Sequence, residues 1–372
     1  MGTFLKTLPK LSFLIVLFGP ASLYMWLTKI HGVPLFVASA LAILGCVTLI
    51  GKGVEEVSIY VGPLWGGLIN ATFANVTELI IALTALKQGL YEIVRSSITG
   101  SILGNLLLVL GAAMVYGGTK YRQQSFTRTG ASVNVAMLIL TLIILVVPSM
   151  AHYAYSADPS LSANEGLAEA IAVKTSFAGA LVLLGIYFLS LVFSLRTHRS
   201  LLMPDGAHSH DPEEPAWSKA VAVGVLLGTT LLVAFLSDAF VESINHILEV
   251  QKMNVSHLFV GVVVVAVVGN ASEGMVAVWV ARENKMELSY QIAMGSCLQV
   301  GLLVAPVLVL ASFYFNPANP MTLVFNIFEL ASLGAAVFIA WASLSDGECN
   351  WLEGAMFLAV YLFFAVVFWF HP

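Results

Sequence analysis

Asn70-Ala71-Thr72-Phe73-Ala74-Asn75-Val76-Thr77-Glu78-Leu79-Ile80-Ile81 is the stretch whose reading decides the fold. It lies in a run, Leu64 to Leu86, in which Glu78 is the one charged residue. Spanning the ~30 Å hydrocarbon core takes about 20 apolar residues, so the run reads as a transmembrane helix. A carboxylate at mid-depth costs roughly 3 kcal/mol or more, and such groups mark ion or proton paths. Asn75 stands three residues before Glu78 and shares its helix face. Thr77 adds a hydroxyl and Asn70 an amide. These are hard oxygen donors, the kind that hold Ca²⁺.

The pattern returns. Gly269-Asn270-Ala271-Ser272-Glu273 repeats Ala74-Asn75-Val76-Thr77-Glu78, and Gly295-Ser296-Cys297-Leu298 repeats Gly100-Ser101-Ile102-Leu103. Glu273 lies 195 residues after Glu78, as Asn270 does after Asn75 and Gly295 after Gly100. A constant offset for two separate motifs implies a duplicated unit. Internal duplication around polar groups at the membrane midplane is a transporter signature.

The composition agrees. Of 372 residues, 59% are hydrophobic and 10% charged, against about 25% charged in a soluble domain. The chain reads as an all-α polytopic membrane protein. The net charge of −5 says little about partners, and no basic patch points to nucleic acid. Cys46, Cys297 and Cys349 sit in or beside apolar segments with no zinc-type spacing, and packing is their expected role. A phosphate-binding Gly-x-x-x-x-Gly-Lys-Ser/Thr segment is missing, so any transport must be driven by an ion gradient. No nucleophile or His-Glu-x-x-His pattern supports an intramembrane protease, and the chain is not expected to be an enzyme.

Eleven spans are expected, in order: 11–28, 33–60, 64–88, 91–118, 131–150, 171–195, 216–249, 255–280, 288–313, 321–343 and 351–370. They divide into an extra N-terminal helix (1–31), a first five-helix repeat (32–198), an acidic Pro- and His-containing linker (199–215) and a second five-helix repeat (216–372). His208, His210 and Asp211 in the linker read as a solvated loop in preference to a metal site. An odd number of helices per unit makes the second copy enter the membrane inverted. With the N-terminus in the cytoplasm, that side receives Lys6, Lys10, Lys120, Arg122, Arg128, Arg196, Arg199, Lys219, Arg282 and Lys285, and the other side Lys29, Lys87, Arg95 and Lys252. This satisfies the positive-inside rule.

These motifs resemble those of the Ca²⁺/H⁺ exchangers of the cation/Ca²⁺ antiporter superfamily. The resemblance covers nearly the whole chain from Val33 on. It is carried by Gly-Leu-Ile-Asn-Ala-Thr-Phe-Ala-Asn-Val-Thr-Glu at 67–78 and Gly-Asn-Ala-Ser-Glu at 269–273. Gly-Ser-Ile-Leu-Gly-Asn-Leu-Leu-Leu-Val-Leu-Gly at 100–111 and Gly-Ser-Cys-Leu-Gln-Val at 295–300 support it. One departure is Ala74, where the family pattern has Gly. The resemblance implies ten core helices in two inverted repeats, with Glu78 and Glu273 as the central cation and proton site. The short length and compact linker are similar to prokaryotic members, which implies a plasma-membrane protein.

The leading expectation is secondary antiport of Ca²⁺ against H⁺ by alternating access. Two copies of Asn-x-x-Glu supply two carboxylates and two amides toward the 6–8 oxygens Ca²⁺ takes, and unwound backbone near Ala74 and Gly269 would add carbonyls. The expected metal ligands are Glu78, Glu273, Asn75 and Asn270, joined by Ser101, Ser296 and Gln299 from the facing helices. Ser101 and Ser296 are also read as small helix-packing residues. Glu55, Glu56, Glu242 and Asn105 are candidates for gating or the ion path; for the three glutamates a wet, interfacial position is the equal alternative. Glu329 is an intramembrane acid without an assigned role. The partners expected are Ca²⁺, protons and membrane lipid, with no cofactor; a homo-oligomer is compatible with the pattern. The alternatives are a Na⁺/Ca²⁺ or other cation exchanger of the same superfamily and a passive channel. A channel pore is commonly completed by oligomer symmetry, whereas here a repeat within one chain supplies both halves.

Overall fold

In the computed structural model, residues 7–157, 166–197, 215–250 and 256–370 are described, apart from the side chains of 63 and 64. The linker at 199–214 lies outside them. Among the described residues, ten helices are long and apolar enough to cross a membrane, and a bent pair makes an eleventh span. They are α1 (Lys10–Leu27), α2 (Val33–Gly62), α3 (Trp65–Phe73 with Val76–Lys87), α4 (Tyr91–Gly118), α5 (Arg128–Ala157), α6 (Leu167–Thr197), α7 (Lys219–Val250), α8 (His257–Arg282), α9 (Met286–Phe315), α10 (Ile327–Leu344) and α11 (Trp351–Phe370). The arrangement is one extra helix and two inverted five-helix repeats.

Local chemistry sets several boundaries. Gly62, at φ 80°, turns the chain between α2 and α3, in the left-handed region that glycine tolerates. Ser218 and Ser256 cap α7 and α8 through the backbone N–H groups of Val221 and Phe259. The span expected from 321 begins at Ile327 instead. Met321 to Asn326 is extended and mostly buried, and its backbone is satisfied by hydroxyls: Ser176 and Ser149 accept from Leu323 and Phe325 at 2.8 and 2.9 Å. Pro317 and Pro320 precede this stretch, and proline disfavours helix both at itself and at the residue before it. The helix starts only where Asn326 and Glu329 form a reciprocal capping box, satisfying two orphan N–H groups.

α2 and α7, which are repeat mates, pack along each other, and α1 lies against α2. Leu181, Phe188, Leu231, Phe235 and Phe363 face outward, as a lipid-facing surface requires. α4 crosses α8 so closely that a Cβ on Gly100 would collide with the Val262 carbonyl oxygen; small residues permit such approaches between membrane helices. A two-residue antiparallel ladder, β1 (Gln124–Ser125) with β2 (Glu348–Cys349), joins the α4–α5 and α10–α11 loops. Wide π-helical turns interrupt α4 at Gly104–Val109 and α9 at Val300–Val304, nearly the same place in the two repeats.

Candidate ion-binding site

α3 breaks at Ala74–Asn75, with a bend of 41° between its two halves. Asn75 takes φ −109° and ψ 22°. Asparagine commonly caps the helix it precedes, but the Asn75 side chain makes no cap. It turns inward instead: Nδ2 donates to Gln299 Oε1 at 2.6 Å, and Oδ1 accepts from Ser296 Oγ at 3.0 Å. Glu78 then sits in the first turn of the second half-helix, where the unpaired backbone N–H groups favour negative charge.

Asn270, the repeat mate of Asn75, remains within a continuous α8. Its Nδ2 donates to Ser101 Oγ at 3.2 Å and to the Ala266 carbonyl at 2.9 Å. Each asparagine thus bonds the serine of the opposite repeat. Asn105 ties the two pairs together, donating to Asn270 Oδ1 at 3.0 Å and to Ser296 Oγ at 2.9 Å. The π-helical turn that begins at Gly104 carries Asn105; such bulges recur at functional sites. The result is one network, Gln299–Asn75–Ser296–Asn105–Asn270–Ser101, crossing the middle of the molecule.

The glutamates flank this network. Oε2 of Glu78 and Oε2 of Glu273 are buried without a hydrogen-bond partner, as is Oδ1 of Asn105. Glu273 lies within electrostatic reach of Glu78, and its carboxyl meets Ser296. Among the described residues no Lys, Arg or His forms an ion pair with either. A buried carboxylate without a counter-charge is unfavourable. Protons or bound cations would neutralise the pair through the same oxygens. Glu78 is housed by Gly269, where a Cβ would come within 2.9 Å of Glu78 Cγ.

Ala74 and Glu273 face a cavity of about 690 Å³ that runs from Pro9 and Lys52 at one end of the bundle to Ser296 and Gln299 at its centre. Asn70, Ser272 and Glu55 also line it. Lys52 carries no role in the sequence reading. Its Nζ holds Glu55 at 3.1 Å and Glu56 at 2.9 Å, a pairing that i, i+3 and i, i+4 spacing could have signalled.

The remaining candidates lie elsewhere. Glu56 is 1% exposed and accepts the backbone N–H of Trp217 at 3.0 Å, so it binds the start of α7 to α2. Glu242 sits at the opposite end of the α2–α7 pair. It accepts from Trp26 Nε1 at 2.6 Å and lies 3.7 Å from His31 Nδ1. Glu329, besides capping α10, accepts from Thr99 Oγ1 at 3.1 Å and shares a polar cavity of about 280 Å³ with Arg95 and Glu92.

The geometry matches a known family. Residues 31–196 and 221–370 fit the model described as sodium/calcium exchanger protein. The chain belongs to that family. Among curated members of this exchanger family, the Ca(2+)/H(+) antiporter of Synechocystis sp. is 38% identical over 382 residues, covering 99% of both chains. The Ca(2+)/H(+) antiporter ChaA of Bacillus subtilis is 40% identical over 336 residues, covering 90% of this chain and 91% of the relative. The solved structure of native YfkE superposes with a TM-score of 0.80 at 34% identity, over 97% of this chain and 100% of that one. A solved H+/Ca2+ exchanger, CAX, has a TM-score of 0.71 at 16% identity over 96% of this chain and 90% of that one, and shows the shared fold.

Proposed function

We propose that this exchanger moves Ca²⁺ against H⁺, with Glu78 and Glu273 as the shared cation and proton site. The observation that carries the reading is the pair of half-buried carboxyl groups, each with one buried and unpartnered oxygen and no basic counter-charge, set beside a network of neutral amide and hydroxyl oxygens. The names of the relatives point the same way.

In one half-cycle a cation enters through the cavity, passes Glu55 and displaces protons from the two glutamates. Asn75, Asn270, Ser101, Ser296 and Gln299 supply neutral oxygens, toward the 6–8 that Ca²⁺ takes. In the other half-cycle protons neutralise the carboxyls and the same amides hydrogen-bond the acids, since an amide both donates and accepts. Competition for one set of oxygens couples the two flows. The α4–α8 crossing closes the far side while the cavity is open. The N-terminus and the cavity face the cytoplasm, as the distribution of basic residues supports, and the protein resides in a prokaryotic plasma membrane.

The test is ⁴⁵Ca²⁺ uptake into proteoliposomes under an imposed pH difference, with and without Na⁺. Uptake should track the pH difference in Na⁺-free buffer. Uptake that required Na⁺ and ignored pH would overturn proton coupling in favour of Na⁺/Ca²⁺ exchange; uptake that dissipated with the cation gradient alone would favour a channel.

A further inference from the structure

A second cavity adjoins the first and shares Met275 and Trp279 with it. Between α4 and α8 runs a groove of about 560 Å³ with an almost wholly apolar lining, including Leu108, Ala112, Val267 and Val278. Gly104 and Ala266 lie at its inner end, with Asn270 one turn nearer the other, which Tyr116 and Trp279 frame. From Ala266 to Trp279 the helix rises roughly 20 Å at 1.5 Å per residue, about two-thirds of the ~30 Å hydrocarbon core. The groove is therefore long enough to take an acyl chain.

Its outer end is basic. The Arg282 guanidinium lies 4.5 Å over the Tyr116 ring, and Nη1 donates to Thr119 Oγ1 at 3.0 Å. This holds the side chain against the groove while leaving other donors of the guanidinium for a ligand. Lys120 is exposed beside it. Glu283, the acid at this end, is paired with Lys285 at 2.9 Å and accepts from Trp279 Nε1 at 3.1 Å. Among the described residues neither Arg282 nor Lys120 has a carboxylate within ion-pair distance.

We propose that this groove binds one anionic phospholipid, with an acyl chain between α4 and α8 and its phosphate on Arg282 and Lys120. A bulk zwitterionic lipid would satisfy the apolar walls equally well. Arg282 and Lys120, neither of them ion-paired among the described residues, select a negative headgroup, and basic pockets between helices on the cytoplasmic side bind such lipids.

The experiment is native mass spectrometry of the full-length protein, equilibrated with an equimolar mixture of phosphatidylglycerol and phosphatidylcholine. One phosphatidylglycerol should survive conditions that strip phosphatidylcholine. The double variant Arg282→Ala/Lys120→Ala should lower that retention roughly thirtyfold, from the contribution of two basic side chains. Arg282→Lys should keep most of it. Ala112→Phe, which fills the groove, should displace the lipid with the cations intact. Equal retention of the two lipids by the native protein, or undiminished phosphatidylglycerol on the double variant, overturns the proposal. So does an Ala112→Phe variant that keeps its lipid but loses self-association, because the groove's occupant would then be a second copy. None of these readings depends on transport, so they separate from any failure of the exchange assay.

Discussion

Asn75 and Asn270 hold the same place in the two repeats and have different backbones. The first sits at a 41° break in α3, and the second lies inside an unbroken α8. The residue before each also differs. Gly269 has no side chain, and Glu78 packs into the space this leaves. Ala74 has a Cβ, and on its side the cavity reaches Glu273. The mates of the network differ as well. Gln299 corresponds to Gly104, and Asn105 to Val300. The carboxylates and serines are duplicated, but the groups that join them are single. The two halves therefore share the Asn-x-x-Glu and Gly-Ser motifs but not the side chains that join them.

The largest test of this division is the glutamate pair. Glu78→Gln and Glu273→Gln keep shape and remove charge. Each should lower gradient-driven ⁴⁵Ca²⁺ uptake by at least about a hundredfold, the equivalent of roughly 3 kcal/mol, although Glu273 alone lines the cavity. Uptake near the native rate in Glu78→Gln would mean the repeats are not equivalent at the ion. Next comes the single bridging amide. Asn105→Ala leaves Asn270 and Ser296 without their common donor. A lost partner for a buried polar group costs about 1–3 kcal/mol, so uptake should fall about tenfold. A variant indistinguishable from the native protein would make Asn105 incidental to the network.

The preceding residues should respond unequally. Gly269→Ala drives a methyl into Glu78 and should reduce uptake severalfold, since overpacking costs about 1–3 kcal/mol. Ala74→Gly, facing open space, should stay within about twofold. The reverse order of effects would remove Gly269 as the cradle of Glu78. The smallest effect belongs to the mouth of the cavity. Lys52 and Glu55 have the apolar mates Ile247 and Val250, so this lysine–glutamate pair belongs to one half. Glu55→Gln should slow uptake about two- to threefold at limiting Ca²⁺ and low ionic strength, with the difference vanishing in high salt, as steering by exposed charge requires. A difference that persisted in high salt would place Glu55 in direct contact with the ion.

Much of this architecture is legible in the chain itself. The spans stand out because lipid demands long apolar runs, and the inverted repeat because Asn-x-x-Glu and Gly-Ser keep one offset. Asn75, Asn270, Ser101, Ser296 and Gln299 meet at the centre from helices that the sequence could name but not orient. The rest depended on tertiary contact. Nothing near Glu56 announces that Trp217, far along the chain, will offer it a backbone N–H. The break in α3 falls at Ala74 rather than at the more permissive Gly269, because breaking a helix needs somewhere for its side chains to go as well as a flexible residue. Asn105 ranks low among the polar residues of α4 because its value lies in the π-helical turn, which no periodicity in the sequence marks. The extended stretch 321–326 is apolar enough to pass for helix, and the hydroxyls that hold it open come from α5, α6 and α9.

The short ladder between Gln124 and Cys349 has a mechanical consequence. Gln124 also donates to the Ala281 carbonyl at 2.7 Å and to Asn284 at 3.2 Å, and Glu287 accepts from the backbone of Thr127. Three loops, drawn from both gene-level copies, are stitched into a single corner. α4, α5, α8, α9, α10 and α11, drawn from both repeats, are anchored at that corner as one frame, while α1, α2 and α7 lie outside the stitch. A covalent tie between Gln124→Cys and Cys349 should accordingly leave the exchange rate unchanged, and a rate that collapsed on cross-linking would show the frame itself to be the moving part.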